Sequence, residues 1–495
     1  MAGLDRTTLT RHRLGLALGP VTFAVVYWVA PTSAPPSANA VLAATIWIAI
    51  WWMTEAIPIP ATALLPVVIF PLVGPGDVAD ATRPYADPIN FLLLGGFLLA
   101  LGIERWGLHR RLALAVLERV GTRTDRLVLG FMLTAGFLSM WISNSATAML
   151  MVPIGMAVLA SVGGERATHM VEGVAAPLEE TERGRIGLAL MLGIAYGASI
   201  GGVATLIGSP PNAVFAGVAE SSFGVEVSFL DWLVLAGPIA AVFLVVAWWA
   251  VLRLVRPRAV SIPGGDAHLA AQREALGHPS RPERRVAAVF ATVALAWMLR
   301  PLGLESVVPG LSDAAIAVLG GLALFAIPSG TGAGRLLGWD DVGRLPWGVL
   351  VLLGAGFSIA SAFQQSGLDV WIGEQLVAVG DVGAVVTVGL VVLTVVFLTE
   401  VNSNTATASV FMPIMAAIGV TLGFPPLQLM AAAALSASFA FMLPVATPPN
   451  AIVFASGAVT VPEMSRVGLW LNLLAVVAIT LTVVLWMPVA LSLVA

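Results

Sequence analysis

Two short stretches of this chain place polar side chains inside strongly apolar surroundings: "WISNSATAML" from Trp141 and "VNSNTATASV" from Val401. Each centres on an asparagine between hydroxyl residues, Ser143-Asn144-Ser145 in the first and Ser403-Asn404-Thr405 in the second. An amide has both a carbonyl oxygen and an NH₂, and a hydroxyl both donates and accepts. Asn144 and Asn404 can each turn an oxygen to a cation and an NH₂ to an anion. Two further stretches, "LIGSPPNAVFAG" from Leu206 and "PVATPPNAIVFASG" from Pro444, join Ser209 or Thr447 to Pro-Pro-Asn. Proline lacks an N–H and restricts the residue before it, so these segments break their helices and free carbonyls near Gly208 and Ala446. The chemistry on offer is the binding of small ions.

The elements that carry these motifs are membrane helices. Of 495 residues, 58% are hydrophobic and 11% charged, with a mean hydropathy of +0.95. A soluble domain carries about 25% charged residues. Runs such as "LGLALGPVTFAVVYWVA" and "LNLLAVVAITLTVVLWMPVALSLVA" approach or exceed the roughly 20 residues that span a bilayer. Their continuity excludes a porin-type barrel, whose strands alternate over about ten residues. With no cysteine there are no disulfides, thiolate metal sites or cysteine nucleophiles. The polar N-terminus, "MAGLDRTTLTRHR", does not read as a cleavable signal. The five histidines fall in polar segments without metal-ligand spacing.

Hydropathy places spans near 13–31, 40–54, 60–73, 84–104, 186–216, 230–252, 286–301, 312–328, 347–365, 428–455 and 468–493. The stretches 127–160 and 384–420 are each interrupted by a Ser-Asn motif. All 24 basic residues are arginine, and they orient the chain. Arg105, Arg110, Arg111, Arg119, Arg123 and Arg126 precede 127–160, and Arg166, Arg183 and Arg185 follow it. Both loops therefore belong to the cytoplasmic side, and 127–160 enters and leaves there. The loops around 384–420 hold no arginine and fit the outer side. The expected fold is an all-α polytopic membrane protein of eleven spans and two re-entrant hairpins. Its N-terminus is cytoplasmic, its C-terminus external, and only Arg83 and Arg300 lie outside.

The hairpins are copies at an offset of 260, "FLSMWISNSATAMLMVPI" from Phe137 matching "FLTEVNSNTATASVFMPI" from Phe397. Copies of opposite orientation mark inverted-topology transporter repeats. The units run over 40–257, with the inward-opening hairpin 127–160, and 286–495, with the outward-opening hairpin 384–420. Residues 1–39 hold the N-terminus and a first helix outside the repeat, and 258–285 form a Pro/Gly/Arg-rich cytoplasmic linker. At a hairpin tip, a starting half-helix points its unsatisfied N–H groups and dipole at an anion, and an ending one offers carbonyls to Na⁺. Broken helices survive at membrane depth only where they face protein or a wet cavity.

Other readings are weaker. A lone Ser-Asn-Ser more often packs helices closely, but four motifs paired by repeat, each on a helix break, argue against that. Glu55 and Glu400 are carboxylates at or near membrane depth; Glu55 also suits a helix cap, and Glu400 a structural role beside a tip. No nucleophile–base pair or metal cluster stands near the motifs, so an embedded enzyme is not expected. No arginine stands in or beside a motif in sequence, so the anion's charge is expected to be met without a side-chain cation.

Nearly the whole chain resembles the divalent anion/sodium symporter family, through "TEAIPIPATALLP", the paired Ser-Asn motifs and the paired Ser/Thr-Pro-Pro-Asn motifs. The resemblance implies a homodimer in a cell membrane, with a scaffold and a transport domain that moves like an elevator. It implies a Na⁺ site on Ser139, Ser143, Asn144 and the Gly208 carbonyl, and another on Thr399, the Asn402 backbone, Asn404 and the Ala446 carbonyl. Substrate would touch Asn144, Ser145, Ser209, Pro210, Asn404, Thr405, Thr447 and Pro448. Ser145 departs from the family's usual threonine but keeps the hydroxyl. The expected activity is Na⁺-coupled symport of a C4 dicarboxylate such as succinate, malate or fumarate, with Na⁺ as the co-transported ion and no organic cofactor or nucleic acid. A sodium-independent dicarboxylate exchanger, or a sulfate or citrate symporter, is the alternative.

Overall fold

The computed structural model describes residues 6–29, 33–121, 123–161, 180–258, 265–332, 334–377 and 383–494. Most of the loop after the first hairpin, with Arg166 and His169, and residues 259–264 of the linker lie outside them. The described residues are helical almost throughout, and the β pairing among them is one isolated bridge, Pro328 to Arg335.

α1 (Arg6–Ala24) and α2 (Pro36–Thr54) precede three short helices, α3 (Ile59–Thr62), α4 (Leu65–Val73) and α5 (Val78–Thr82). α6 (Pro88–Arg105) and the amphipathic α7 (Leu108–Val120) lead to a helical pair, α8 (Thr124–Ser139) and α9 (Asn144–Ser161). α10 (Glu180–Gly202) and α11 (Pro210–Phe223) flank an irregular segment, and α12 (Phe229–Val255) closes this half. α13 (Gly265–Leu276) lies in the segment read as a linker and docks on α7, where Arg273 pairs with Glu118.

The second half repeats the plan. α14 (Arg281–Leu299), α15 (Glu305–Val307) and α16 (Asp313–Ala326) come first, then α17 (Trp347–Ser366) and α18 (Leu368–Val377). α19 (Ala384–Thr399) and α20 (Asn404–Thr421) form the second pair. α21 (Pro426–Ala437) and α22 (Pro448–Ala455) flank a second irregular segment, followed by α23 (Val461–Leu481) and α24 (Met487–Val494). Both helical pairs start and stop 260 residues apart, at 124, 139, 144 and 161 against 384, 399, 404 and 421. Gly107 and Gly367, at the same offset, both adopt left-handed backbone (φ 71° and 73°) before α7 and α18.

Nine helical stretches among the described residues are long and apolar enough to cross a membrane. Eleven were expected. The expected spans 60–73 and 312–328 are shorter apolar helices, Ile59–Val73 and Asp313–Ala326. Span 428–455 is α21 and α22 with a break between, and 186–216 is likewise α10 and α11. Asn404–Thr421, expected as a hairpin arm, is itself long enough to cross.

Small residues let these helices approach closely. A Cβ added to Gly201 of α10 would stand 2.1 Å from the Gly136 carbonyl oxygen of α8, so the two backbones touch. Aromatic packing ties the halves together. Tyr196 of α10 donates its hydroxyl to the Phe441 carbonyl at 2.9 Å, with the rings edge to face, and Phe243 of α12 packs on Phe439 and Phe441.

Candidate functional site

Four helices begin around one cavity of about 890 Å³. α9 starts with Asn144 and Ser145, α11 with Pro210 after Ser209, α20 with Asn404 and Thr405, and α22 with Pro448 after Thr447, and all eight residues line the space. Ser143, Gly208, Asn402 and Ala446 line it as well. Of the residues expected to bind ions or substrate, only Ser139 and Thr399 stand back, fully buried behind the wall.

The two tips share a local design. At each, the last hydroxyl residue of the first arm donates to the asparagine that opens the second. Ser139 Oγ bonds Asn144 Oδ1, and Thr399 Oγ1 bonds Asn404 Oδ1 at 2.8 Å and the Ala437 carbonyl at 3.0 Å. The amide oxygen is thereby oriented before any ligand arrives. Ser143 Oγ accepts from the Ala146 N–H at 3.2 Å, and Asn402 Oδ1 from the Ser403 N–H at 2.9 Å.

The Pro-Pro-Asn segments close the facing breaks. Asn212 Nδ2 donates to the carbonyls of Gly202 (3.1 Å), Val203 (3.2 Å) and Thr205 (2.7 Å). Asn450 Nδ2, 238 residues on, donates to those of Ala440 (3.2 Å) and Leu443 (3.0 Å). Both asparagines are fully buried, and they satisfy the carbonyls that the broken helices leave over. The sequence carried a signal for them, the same residue at the same place in both copies of the motif.

Oxygens crowd Gly202 and Gly208 beside the first tip. A methyl-sized atom at Gly208 would lie 2.5 Å from the Gly202 carbonyl oxygen and 3.0 Å from the Ser139 carbonyl oxygen and Thr205 Oγ1. One at Gly202 would lie 2.5 Å from Asn144 Oδ1, 3.0 Å from the Gly208 carbonyl oxygen and 3.1 Å from Asn144 Nδ2. Such a set of neutral oxygens suits an alkali cation. Gly202 and Thr205 were not among the residues expected there. Among the described residues, no group of three His, Cys, Asp or Glu could hold a metal ion.

The two halves differ beneath the tips. Glu400, buried at the end of α19, accepts N–H bonds from Phe441 (2.7 Å), Met442 (2.9 Å) and Leu443 (3.0 Å), and from Asn472 Nδ2 (2.7 Å). It pins the irregular segment between α21 and α22. The matching position in the first half is Met140, whose backbone carbonyl takes the Thr205 hydroxyl at 2.5 Å. Glu55 ends α2 in left-handed backbone (φ 50°), and its carbonyl accepts from His12 at 2.6 Å. Ser209 turns its hydroxyl to Ser438 at 2.9 Å, across the two halves, whereas the Thr447 oxygen caps α22 through the Asn450 N–H at 3.3 Å.

The cavity wall also carries charge away from the motifs. Arg344, exposed just before α17, lines the same cavity together with Glu55 and Glu104. A cation therefore does stand on the wall, although about 60 residues separate it from the nearest motif in sequence.

A family model described as "Sodium:sulfate symporter transmembrane region" matches residues 12–493. The sodium-dependent dicarboxylate transporter SdcS of Staphylococcus saprophyticus subsp. saprophyticus is 39% identical over 483 residues, which is 96% of this chain and 91% of that protein. SdcS of Staphylococcus aureus strain MRSA252 is 40% identical over 490 residues, 98% of this chain and 92% of that one. Among solved structures, the YdaH transporter of Alcanivorax borkumensis superposes with a TM-score of 0.53 at 16% identity, covering 98% of each chain.

Proposed function

Because the chain belongs to the sodium:sulfate symporter transmembrane-region family, we propose that it carries a C4-type dicarboxylate across a cell membrane together with Na⁺. The observation that carries this reading is the meeting of four helix N-termini and two Ser-Asn tips on one cavity. All four present the positive end of a dipole, and α9 and α20 add free N–H groups where Pro-Pro opens α11 and α22 without them, so together they favour a doubly charged anion. Relatives named sodium-dependent dicarboxylate transporters at 39–40% identity favour a dicarboxylate over sulfate.

In this reading Asn144 and Asn404 each give an oxygen to Na⁺ and an NH₂ to a carboxylate. One ion rests on Ser139, Ser143, Asn144 and the carbonyls of Gly202 and Gly208; the other on Thr399, Asn404 and the carbonyls of Asn402 and Ala446. Ser145, Thr405 and Thr447 offer hydroxyls to the anion, beside Pro210 and Pro448, while Ser209 bridges the halves to Ser438. Ion and anion share ligands, so each tightens the other by the same factor. The helical pairs are re-entrant hairpins of opposite orientation within a two-fold inverted repeat. The protein works as a homodimer whose transport domain moves like an elevator. Glu55, Glu104 and Arg344 belong to ends that the arginine pattern assigns to the cytoplasm, so this cavity is the inward-facing one.

Uptake of labelled succinate into proteoliposomes, with a Na⁺ or a choline gradient, tests the proposal. Uptake should require Na⁺ and yield to fumarate and malate before sulfate. Equal uptake in choline would favour an exchanger, and stronger competition by sulfate would overturn the substrate class.

A further inference from the structure

A groove of about 460 Å³ runs between α14 and α16, apart from the site. One stripe of each helix forms its walls, Ala288, Thr292 and Ala296 from α14 and Gly320 and Ala323 from α16. These small residues keep it open, while Leu295 and Leu319 beside it are exposed. α14 lies in an apolar stretch, Arg281–Val307, long enough to cross a membrane. The groove therefore faces hydrocarbon.

Its two ends differ in charge. One closes on Arg285, which donates to the Pro328 carbonyl. Arg281 stands one turn earlier on the same face, and both side chains border Gly330. Arg335 joins them from the loop after α16, donating to the Ala326 carbonyl. Among the described residues none of these three arginines enters an ion pair. At the far end of α14, Arg300 is matched by Glu226, Glu305 and Asp313. From Arg285 to Ala296 the helix rises ~17 Å, about half of the ~30 Å hydrocarbon layer. That is the reach of one acyl chain within one leaflet.

We propose that this groove binds a phospholipid with an anionic headgroup, its chain between α14 and α16 and its phosphate against Arg281 and Arg285. Unpaired cations at one mouth of a dry groove match that chemistry. They disfavour a second copy of this chain, because a two-fold contact here would bring two arginine clusters together.

Native mass spectrometry of the full chain in detergent, with phosphatidylglycerol or phosphatidylcholine of identical acyl chains, tests the proposal. Wild type should retain phosphatidylglycerol preferentially. Arg281→Gln and Arg285→Gln should each reduce that preference about fivefold without abolishing phosphatidylcholine binding. Ala288→Leu and Ala323→Leu, which fill the groove, should lower retention of both lipids, with thermal melting checking that each variant folds. Equal retention of both lipids by wild type would overturn the proposal, as would an unchanged preference in both arginine variants or unchanged retention in both leucine variants. The chain lacks cysteine, so a disulfide-linked dimer of Thr292→Cys would assign the groove to a second copy instead.

Discussion

Glu400 offers the sharpest test of how the second tip is held. Its carboxylate accepts from three successive N–H groups, those of Phe441, Met442 and Leu443, and from Asn472 Nδ2. Glu400→Gln keeps Oε1, which takes the bonds from Phe441, Met442 and Asn472, but replaces the acceptor of the Leu443 N–H with a donor. One orphaned buried donor costs about 1–3 kcal/mol. Glu400→Ala orphans all four, a nominal sum of about 4–12 kcal/mol. That rivals the whole stability of a typical domain, roughly 5–15 kcal/mol, so the 441–443 segment must rearrange before the full cost is met. The alanine variant should therefore lose at least twice what the glutamine variant loses, read as apparent melting temperature in detergent. Because the Ala446 carbonyl follows that segment within three residues, the Na⁺ concentration for half-maximal succinate uptake should also rise in both. A Glu400→Ala protein that melts with wild type and keeps its Na⁺ activation would refute the reasoning.

Removing the Thr405 hydroxyl, in Thr405→Ala, should cost about 0.5–1.5 kcal/mol of succinate affinity, or up to roughly 3 if its partner is a carboxylate, whereas Ser145→Thr should preserve that affinity and uptake; titration calorimetry with succinate at fixed Na⁺ reads both affinities, and proteoliposome uptake checks transport by Ser145→Thr. Arg344→Gln should weaken apparent succinate affinity more at low ionic strength than at high, since an exposed cation at a cavity mouth acts over about a Debye length; a loss independent of salt would mean that Arg344 touches the substrate directly. Asn212→Leu and Asn450→Leu should each destabilise by about 1–3 kcal/mol in thermal melts, because they strip the donor from the buried Gly202 and Ala440 carbonyls respectively, whereas Val203 keeps the Trp232 N–H and Thr205 and Leu443 keep the backbone N–H groups of Gly208 and Ala446. Single cysteines at Arg110 and Gln272 should label only from the cytoplasmic side, and external labelling of either would reverse the proposed orientation.

Much of this arrangement is legible in one dimension. The duplication at 260 residues places both tips, because sequence identity and helix ends repeat together from Phe137 and Phe397 onward. Pro210 and Pro448 mark where α11 and α22 begin, since proline suits the first turn of a helix and ends what precedes it. Hydropathy, however, runs across breaks that hydrogen bonding creates. Residues 186–216 and 428–455 read as continuous because Val203, Ala204, Phe439 and Ala440 are as apolar as any helix interior, and the unwound backbone is held by side chains distant in sequence, such as Tyr196, Trp232 and Glu400, as well as by Asn212 and Asn450. Arg344 was invisible for another reason. It reaches the cavity from the turn before α17, and nothing local in "VGRLPW" connects it to a distant Ser-Asn motif. The Gly202 carbonyl belongs to the same class, since a backbone oxygen leaves no mark in a sequence, and the Thr205 hydroxyl stands in an apolar run outside all four motifs.

The backbone contact between Gly136 and Gly201 bears on how motion in this molecule can be measured. With no side chain between them, α8 and α10 cannot slide without a carbonyl colliding with an α-carbon. A pair of spin labels or fluorophores at exposed positions of these two helices, such as Leu133 of α8 and Arg183 at the start of α10, would thus hold one separation. It would serve as an internal ruler, so that a distance change seen from α8 to α6 or α16 reports displacement of the whole body rather than flexing within it.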